Sequence, residues 1–139
     1  MLKKFKIEDL YIGQHFAFSK VISRKLISEF SSMTGDYHPL HTDYDYSIKS
    51  GFNNIIAQGF LLTSFLSYAV GMELPGENAL ILSQESKFIQ PVYIDDELIY
   101  NCEVVKIEKR FSIIDLNFTI SKLNGVKAVS GSVKIKIRG

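Results

Sequence analysis

The spacing of apolar and polar residues changes several times along the chain. From His15 to Ile22 the two kinds alternate, as a strand with one buried face requires. Ser23 then offers a helix cap, and Leu26, Ile27 and Phe30 fall on one side of a short helix. Gly35 suits the position just past that helix, where the backbone often turns to positive φ. The stretch Asp36 to Asp43 is polar, rich in rings and broken by Pro39. It predicts a loop, with a second short helix beginning at Asp43.

From Gly59 to Met72 the pattern is of another kind. Phe60, Leu61, Leu62, Phe65, Leu66, Tyr68, Ala69, Val70 and Met72 surround the helix axis instead of forming one stripe. A helix apolar on nearly all sides is expected to be enclosed by other structure, and Pro75-Gly76 is expected to turn the chain after it. The last third reads as strands. Leu98, Tyr100, Cys102 and Val104 share one face, and the phase then shifts to Val105 and Ile107, which predicts a β-bulge. Ile114, Leu116, Phe118 and Ile120 alternate with Asp115, Asn117 and Thr119, and Asn124-Gly125 is a strong hairpin signal. Val133, Ile135 and Ile137 alternate with lysines. Together these elements predict an α+β architecture in which an antiparallel sheet curls around one long apolar helix.

Composition narrows the functional classes. The chain has 139 residues, the size of one domain spanning 1–139, with 16 Lys and Arg against 15 Asp and Glu. So balanced a charge argues against a nucleic-acid partner, since phosphate binding draws on clustered cations. Lys134, Lys136 and Arg138 alternate with apolar residues and read as a solvated strand face. The single cysteine, Cys102, cannot form an internal disulfide and reads as a buried core thiol in a protein of a reducing compartment. No apolar run follows Lys3-Lys4, so no signal peptide is expected. The Phe60–Met72 stretch is interrupted by Thr63, Ser64 and Ser67 and is shorter than the roughly 20 residues of a bilayer span. The expectation is a soluble cytoplasmic protein with no membrane partner.

Ionisable groups concentrate in the loop after the first helix, where Asp36, His38, His41 and Asp43 lie close together and Pro39 stiffens the middle. An Asp with a His suits general acid–base catalysis: the imidazole titrates near neutrality, and the carboxylate can orient it, take a proton or hold a water. Two other readings stay open on these residues. Asp36 can serve a local turn beside surface histidines, or His38 and His41 with Asp36 or Asp43 can ligate zinc.

The run Phe30-Ser31-Ser32-Met33-Thr34-Gly35-Asp36-Tyr37-His38-Pro39-Leu40-His41-Thr42-Asp43 resembles the hydratase signature of the MaoC-like family, best known from (R)-specific enoyl-CoA hydratases. Ile56-Ala57-Gln58-Gly59 with its apolar helix, Leu74-Pro75-Gly76, Phe88-Ile89-Gln90-Pro91-Val92 and Asp95-Asp96-Glu97-Leu98 extend the likeness over almost the whole chain. The resemblance implies the hot-dog fold and a homodimer or dimer of dimers. It also implies a lyase that adds water to a trans-2-enoyl thioester to give the (R)-3-hydroxyacyl thioester. Its catalytic pair falls on Asp36 and His41, its oxyanion glycine on Gly59, and a helix serine lining the substrate site on Ser67. No metal is implied, nor any cofactor beyond the coenzyme A or acyl-carrier-protein moiety of the thioester. The chain departs from the family pattern at His38, where Asn is usual, and at Gln58, where His is usual. Two rival functions belong to the same fold: a thioesterase, which needs a carboxylate on or near the helix and finds only Glu73 at its end, and a non-catalytic acyl-thioester-binding module.

Overall fold

The computed structural model describes residues 1–139. Strand β1 (His15–Val21) leads into helix α1 (Arg24–Thr34), followed by two short helices, α2 (Pro39–Thr42) and α3 (Tyr44–Lys49). The central helix comprises α4 (Gly59–Ser64), α5 (Leu66–Tyr68) and a π-helical stretch (Ala69–Glu73). Four strands complete the chain: β2 (Ala79–Phe88), β3 (Glu97–Glu108), β4 (Ile113–Lys122) and β5 (Lys127–Ile137). The five strands form one antiparallel sheet in the order β1-β3-β4-β5-β2.

The caps read from the sequence are in place. Ser23 accepts a hydrogen bond from the Leu26 amide at 3.2 Å, and Gly35 ends α1 at φ 81°. Between β3 and β4 the register shifts from Val104 to Lys106, the bulge that the change of phase announces. In the β4–β5 hairpin Gly125 takes φ 88°, while the Asn124 side chain accepts from the Val126 amide at 3.0 Å.

Three expectations need correction. Pro39 to Thr42 is a helical turn, not open loop, because a proline at the first helical position has its φ preset and no amide to satisfy. Asp43 precedes the next helix as its cap, accepting from the Tyr46 amide at 3.1 Å. The central helix is neither uniform nor enclosed on all sides. Ser64 donates to the Leu61 carbonyl at 2.6 Å and the Tyr100 hydroxyl donates to the Leu62 carbonyl at 2.6 Å, drawing on two carbonyls of the helical ladder just where the α-helix is interrupted at Phe65.

The core is one cluster of 25 buried apolar residues. Leu61, Leu62, Leu66, Ala69 and Val70 come from the central helix, and the inward positions of the sheet supply Leu98, Tyr100, Val104, Leu116, Ile120 and Ile135. The opposite flank of the helix is open. Phe60 is 73% exposed, and Leu80, Ile81 and Leu82 on the neighbouring edge strand β2 are also partly bare. No helix is long and apolar enough to cross a membrane.

Candidate active site

The site begins where α1 stops. Thr34 donates to the Phe30 carbonyl at 2.7 Å and accepts the Asp36 amide at 3.2 Å, so the turn at Gly35 leaves Asp36 in a fixed place. Asp36 Oδ1 then accepts the His38 amide at 3.2 Å, and His38 Nδ1 accepts the Leu40 amide at 3.1 Å, capping α2. His41 lies on that helical turn. Its Nδ1 is 2.7 Å from the Ile56 carbonyl oxygen. A carbonyl only accepts, so Nδ1 carries a proton, and whenever the ring is neutral its lone pair is at Nε2.

Nε2 faces Asp36 Oδ2 at 3.8 Å, with the His41 side chain 15% and the Asp36 side chain 43% exposed. The gap is too long for a hydrogen bond, and both atoms are acceptors. A molecule with two O–H groups satisfies both, and water is the smallest such molecule.

Two cavities meet at His41. One, of about 420 Å³, is lined by His41, Ile56, Gly59, Leu62, Phe88 and Val92 among others. Gly59 opens the central helix, and its amide finds no backbone acceptor, so it can donate to charge developing in that cleft. Packing is close at this glycine: a Cβ there would stand 2.9 Å from Phe88 Cε1, so the Phe88 ring or the helix start would have to shift. The other cavity, of about 180 Å³, is lined by Arg24, Ser28, Ser31, Tyr37, Thr42 and others beside His41.

Of the residues expected from the sequence, Asp36 and His41 face each other, and His41 shares a cleft with Gly59. Ser67 stands elsewhere, in a depression with Phe60, Ser64, Ile81, Gln84 and Val133 on the open flank of the helix. Gln58 is 2% exposed; its Nε2 donates to the Ile27 carbonyl and to Ser31 Oγ, each at 3.0 Å, while its Oε1 has no partner. It ties α1 to the start of the central helix. Sequence reasoning noticed Gln58 only as a departure, and it missed both Ser31 and the Ile56 carbonyl. A backbone acceptor leaves no mark in the residue pattern.

The zinc reading loses donors to the backbone: the His38 Nδ1 and Asp43 Oδ1 atoms cap α2 and α3, and no three His, Cys, Asp or Glu side chains converge. Glu73, the carboxylate a thioesterase would need, accepts from the Tyr68 hydroxyl at 3.3 Å. It lies about 20 Å along the helix from Gly59, at roughly 1.5 Å per residue. Cys102 is buried, and burial pushes its thiol up to about 11, which suits a core residue and not a nucleophile. Burial likewise holds the Tyr100 hydroxyl well above the ordinary tyrosine range, and its short bond to Leu62 is structural.

The family described as "MaoC like domain" matches residues 9–125. The (R)-specific enoyl-CoA hydratase of Aeromonas caviae is 30% identical over 130 residues, covering 94% of this chain and 97% of that protein. The 3-hydroxybutyryl-CoA dehydratase of Methylorubrum extorquens is 31% identical over 106 residues, 76% of this chain and 68% of that protein. Among solved structures, the (R)-hydratase of A. caviae superimposes with a TM-score of 0.90 at 30% identity, covering 94% of this chain and 98% of that one. An R-hydratase from Pseudomonas aeruginosa superimposes with a TM-score of 0.92 at 25% identity, covering 99% of this chain and 88% of that one.

Proposed function

The chain belongs to the MaoC-like family, and from that premise we propose that it is a hydro-lyase adding water reversibly to a trans-2-enoyl thioester to give the (R)-3-hydroxyacyl thioester. The observation that carries the reading is that His41, which lines the cleft, gives its Nδ1–H to the Ile56 carbonyl and turns Nε2, an acceptor in the neutral ring, toward Asp36 Oδ2 3.8 Å away. In this reading one water donates a hydrogen bond to each. As its oxygen bonds to the β-carbon, a proton passes to the pair and charge builds on the thioester carbonyl oxygen. The Gly59 amide meets that charge. Return of a proton to the α-carbon on the same face completes the addition, so H and OH both come from one water. Dehydration runs the same steps backwards.

Coenzyme A is the carrier we assign, with an acyl-carrier-protein thioester as the alternative; the relatives named above carry coenzyme A in their names. The reaction needs no further cofactor. The lone buried thiol and the lack of a membrane-spanning helix are compatible with the cytoplasmic location we assign. A homodimer, or a dimer of dimers, is also part of the proposal. Edge strand β2 and the bare flank with Phe60 and Ile81 offer an apolar surface that a second copy would cover, and with it the depression containing Ser67. Ser67 is retained on that basis as a substrate-lining residue.

The test is direct: purified protein given a short trans-2-enoyl-CoA should lower the conjugated thioester absorbance to an equilibrium value. Run backwards, it should regenerate that absorbance from the (R)- but not the (S)-3-hydroxyacyl-CoA. An unchanged spectrum in both directions would sink the proposal.

A further inference from the structure

We propose that His38 is a positioning residue whose neutral imidazole, as the cap of α2, sets His41 against Asp36. Residue 38 thereby fixes how far activity extends toward acid. The inference rests on the hydration reading above for its kinetic consequence and on this chain's own geometry for everything else.

Four hydrogen bonds run through residue 38. Its amide donates to Asp36 Oδ1 at 3.2 Å; its carbonyl accepts the His41 amide at 2.9 Å and the Thr42 hydroxyl at 3.4 Å; its ring Nδ1 accepts the Leu40 amide at 3.1 Å. One side of the residue therefore holds the carboxylate, the other holds the turn that bears the imidazole, and the ring locks the two together. A helix cap must accept a hydrogen bond. Imidazole can do so at Nδ1 only when neutral with its proton on Nε2. Once protonated, it sets an N–H against the Leu40 N–H and puts a cation at the end of the turn where unpaired amides already point.

The surroundings supply no second cap. His41 faces the ring from α2 with centroids 5.9 Å apart, and Tyr46 meets it edge-on from α3 at 6.2 Å. Asp36, on the preceding turn, holds the residue's own amide, and Asp43, at the junction of α2 and α3, has its Oδ1 committed to the Tyr46 amide. Neither carboxylate replaces the ring at Leu40. A cationic His38 would also stand beside the ring that has to take a proton from water. An asparagine at this position caps through an oxygen that does not titrate, so the substitution separates capping from charge.

The experiment compares kcat and KM across pH for the full-length wild type, His38→Asn and His38→Ala. H38N should retain most of the alkaline kcat, and its kcat should exceed the wild type's by a ratio that grows as pH falls, the acid limb losing one proton's dependence. H38A should lose roughly five-fold in kcat at alkaline pH, the scale of a missing cap, and that deficit against the wild type should shrink as pH falls and the wild-type ring loses its own cap. KM should change little because His38 does not line the thioester cleft. A second readout needs no substrate. By NMR, the Leu40 amide of the wild type should titrate in step with the His38 ring, and in H38N that dependence should vanish. Superimposable acid limbs for wild type and H38N, or a Leu40 amide indifferent to the His38 ring, would overturn the inference. Absence of hydration by the wild type at any pH would defeat the proposed function instead, and the Leu40 titration would still decide this one.

Discussion

The segment from Thr34 to Asp43 and the flank shared by the central helix and β2 solve opposite problems. The first is polar and partly exposed, yet its polar groups are tied down: Thr34, Asp36, His38, His41 and Asp43 each hydrogen-bond a named backbone group. The second is apolar and has nothing over it, with Phe60, Leu80, Ile81 and Leu82 all substantially bare. Local hydrogen bonds can place a carboxylate and an imidazole without help from another chain. Bare aliphatic and aromatic side chains in a row are stabilised only by being covered, at about 25 cal/mol per Å² of apolar surface removed from water. Contacts within one chain therefore suffice to set Asp36 against His41, whereas the flank is left uncovered.

The comparison can be broken most severely at the pair. Asp36→Asn and His41→Ala should each lower kcat by roughly 10²–10⁴-fold, the scale of general acid–base catalysis, while circular dichroism and thermal unfolding stay near those of the wild type. Both belong to a polar turn outside the buried core, so a collapsed fold in either variant would contradict the account as surely as normal turnover. Gly59→Ala comes next. A methyl 2.9 Å from the Phe88 ring forces the ring or the helix start to shift, and a displacement of this size at a donor should lower kcat about 10- to 100-fold. A crystal structure of the variant with Phe88 in its original place and full activity would refute that reasoning.

On the flank the expected effect moves from turnover to assembly. Ile81→Lys removes one apolar side chain per copy and adds a charge, which should weaken self-association by roughly tenfold or more. Light scattering at micromolar concentration should then report a monomer for the variant and a dimer or larger for the wild type. A wild-type monomer would break the comparison outright. The smallest effect expected is none at all: prolonged dialysis against a chelator should leave hydration unchanged, because His38 Nδ1 and Asp43 Oδ1 are engaged as caps. Activity lost with zinc and regained on its return would restore the metal reading.

How much of this was legible follows from where the information resides. Strands β3, β4 and β5 alternate because one face is buried by this chain, and periodicity reports that directly. Strand β2 gives no such signal: Leu80-Ile81-Leu82 is apolar on successive positions, and the chain itself buries neither face. The interruption of the central helix at Phe65 coincides with a bond from Tyr100, 38 residues away, which no local window contains. The turn Pro39–Thr42 is too short to show a helical period, so it read as loop. Asp36, His41 and Gly59 are candidates because they sit in a motif, and the structure sets Asp36 against His41 and His41 in a cleft with Gly59. The Ile56 carbonyl that selects the His41 tautomer, and the Gln58–Ser31 tether behind it, depend on contacts between distant segments.

In the proposed mechanism one water, held between Asp36 and His41, supplies both the hydroxyl and the new hydrogen on one face of the double bond. Hydration of a trans-2-enoyl-CoA in D₂O, followed by NMR of the isolated product, tests it most directly. The account predicts an (R)-3-hydroxyacyl thioester with one deuterium at the α-carbon, on the same face as the hydroxyl, and no free thiol. Deuterium on the opposite face, or release of coenzyme A, would contradict it.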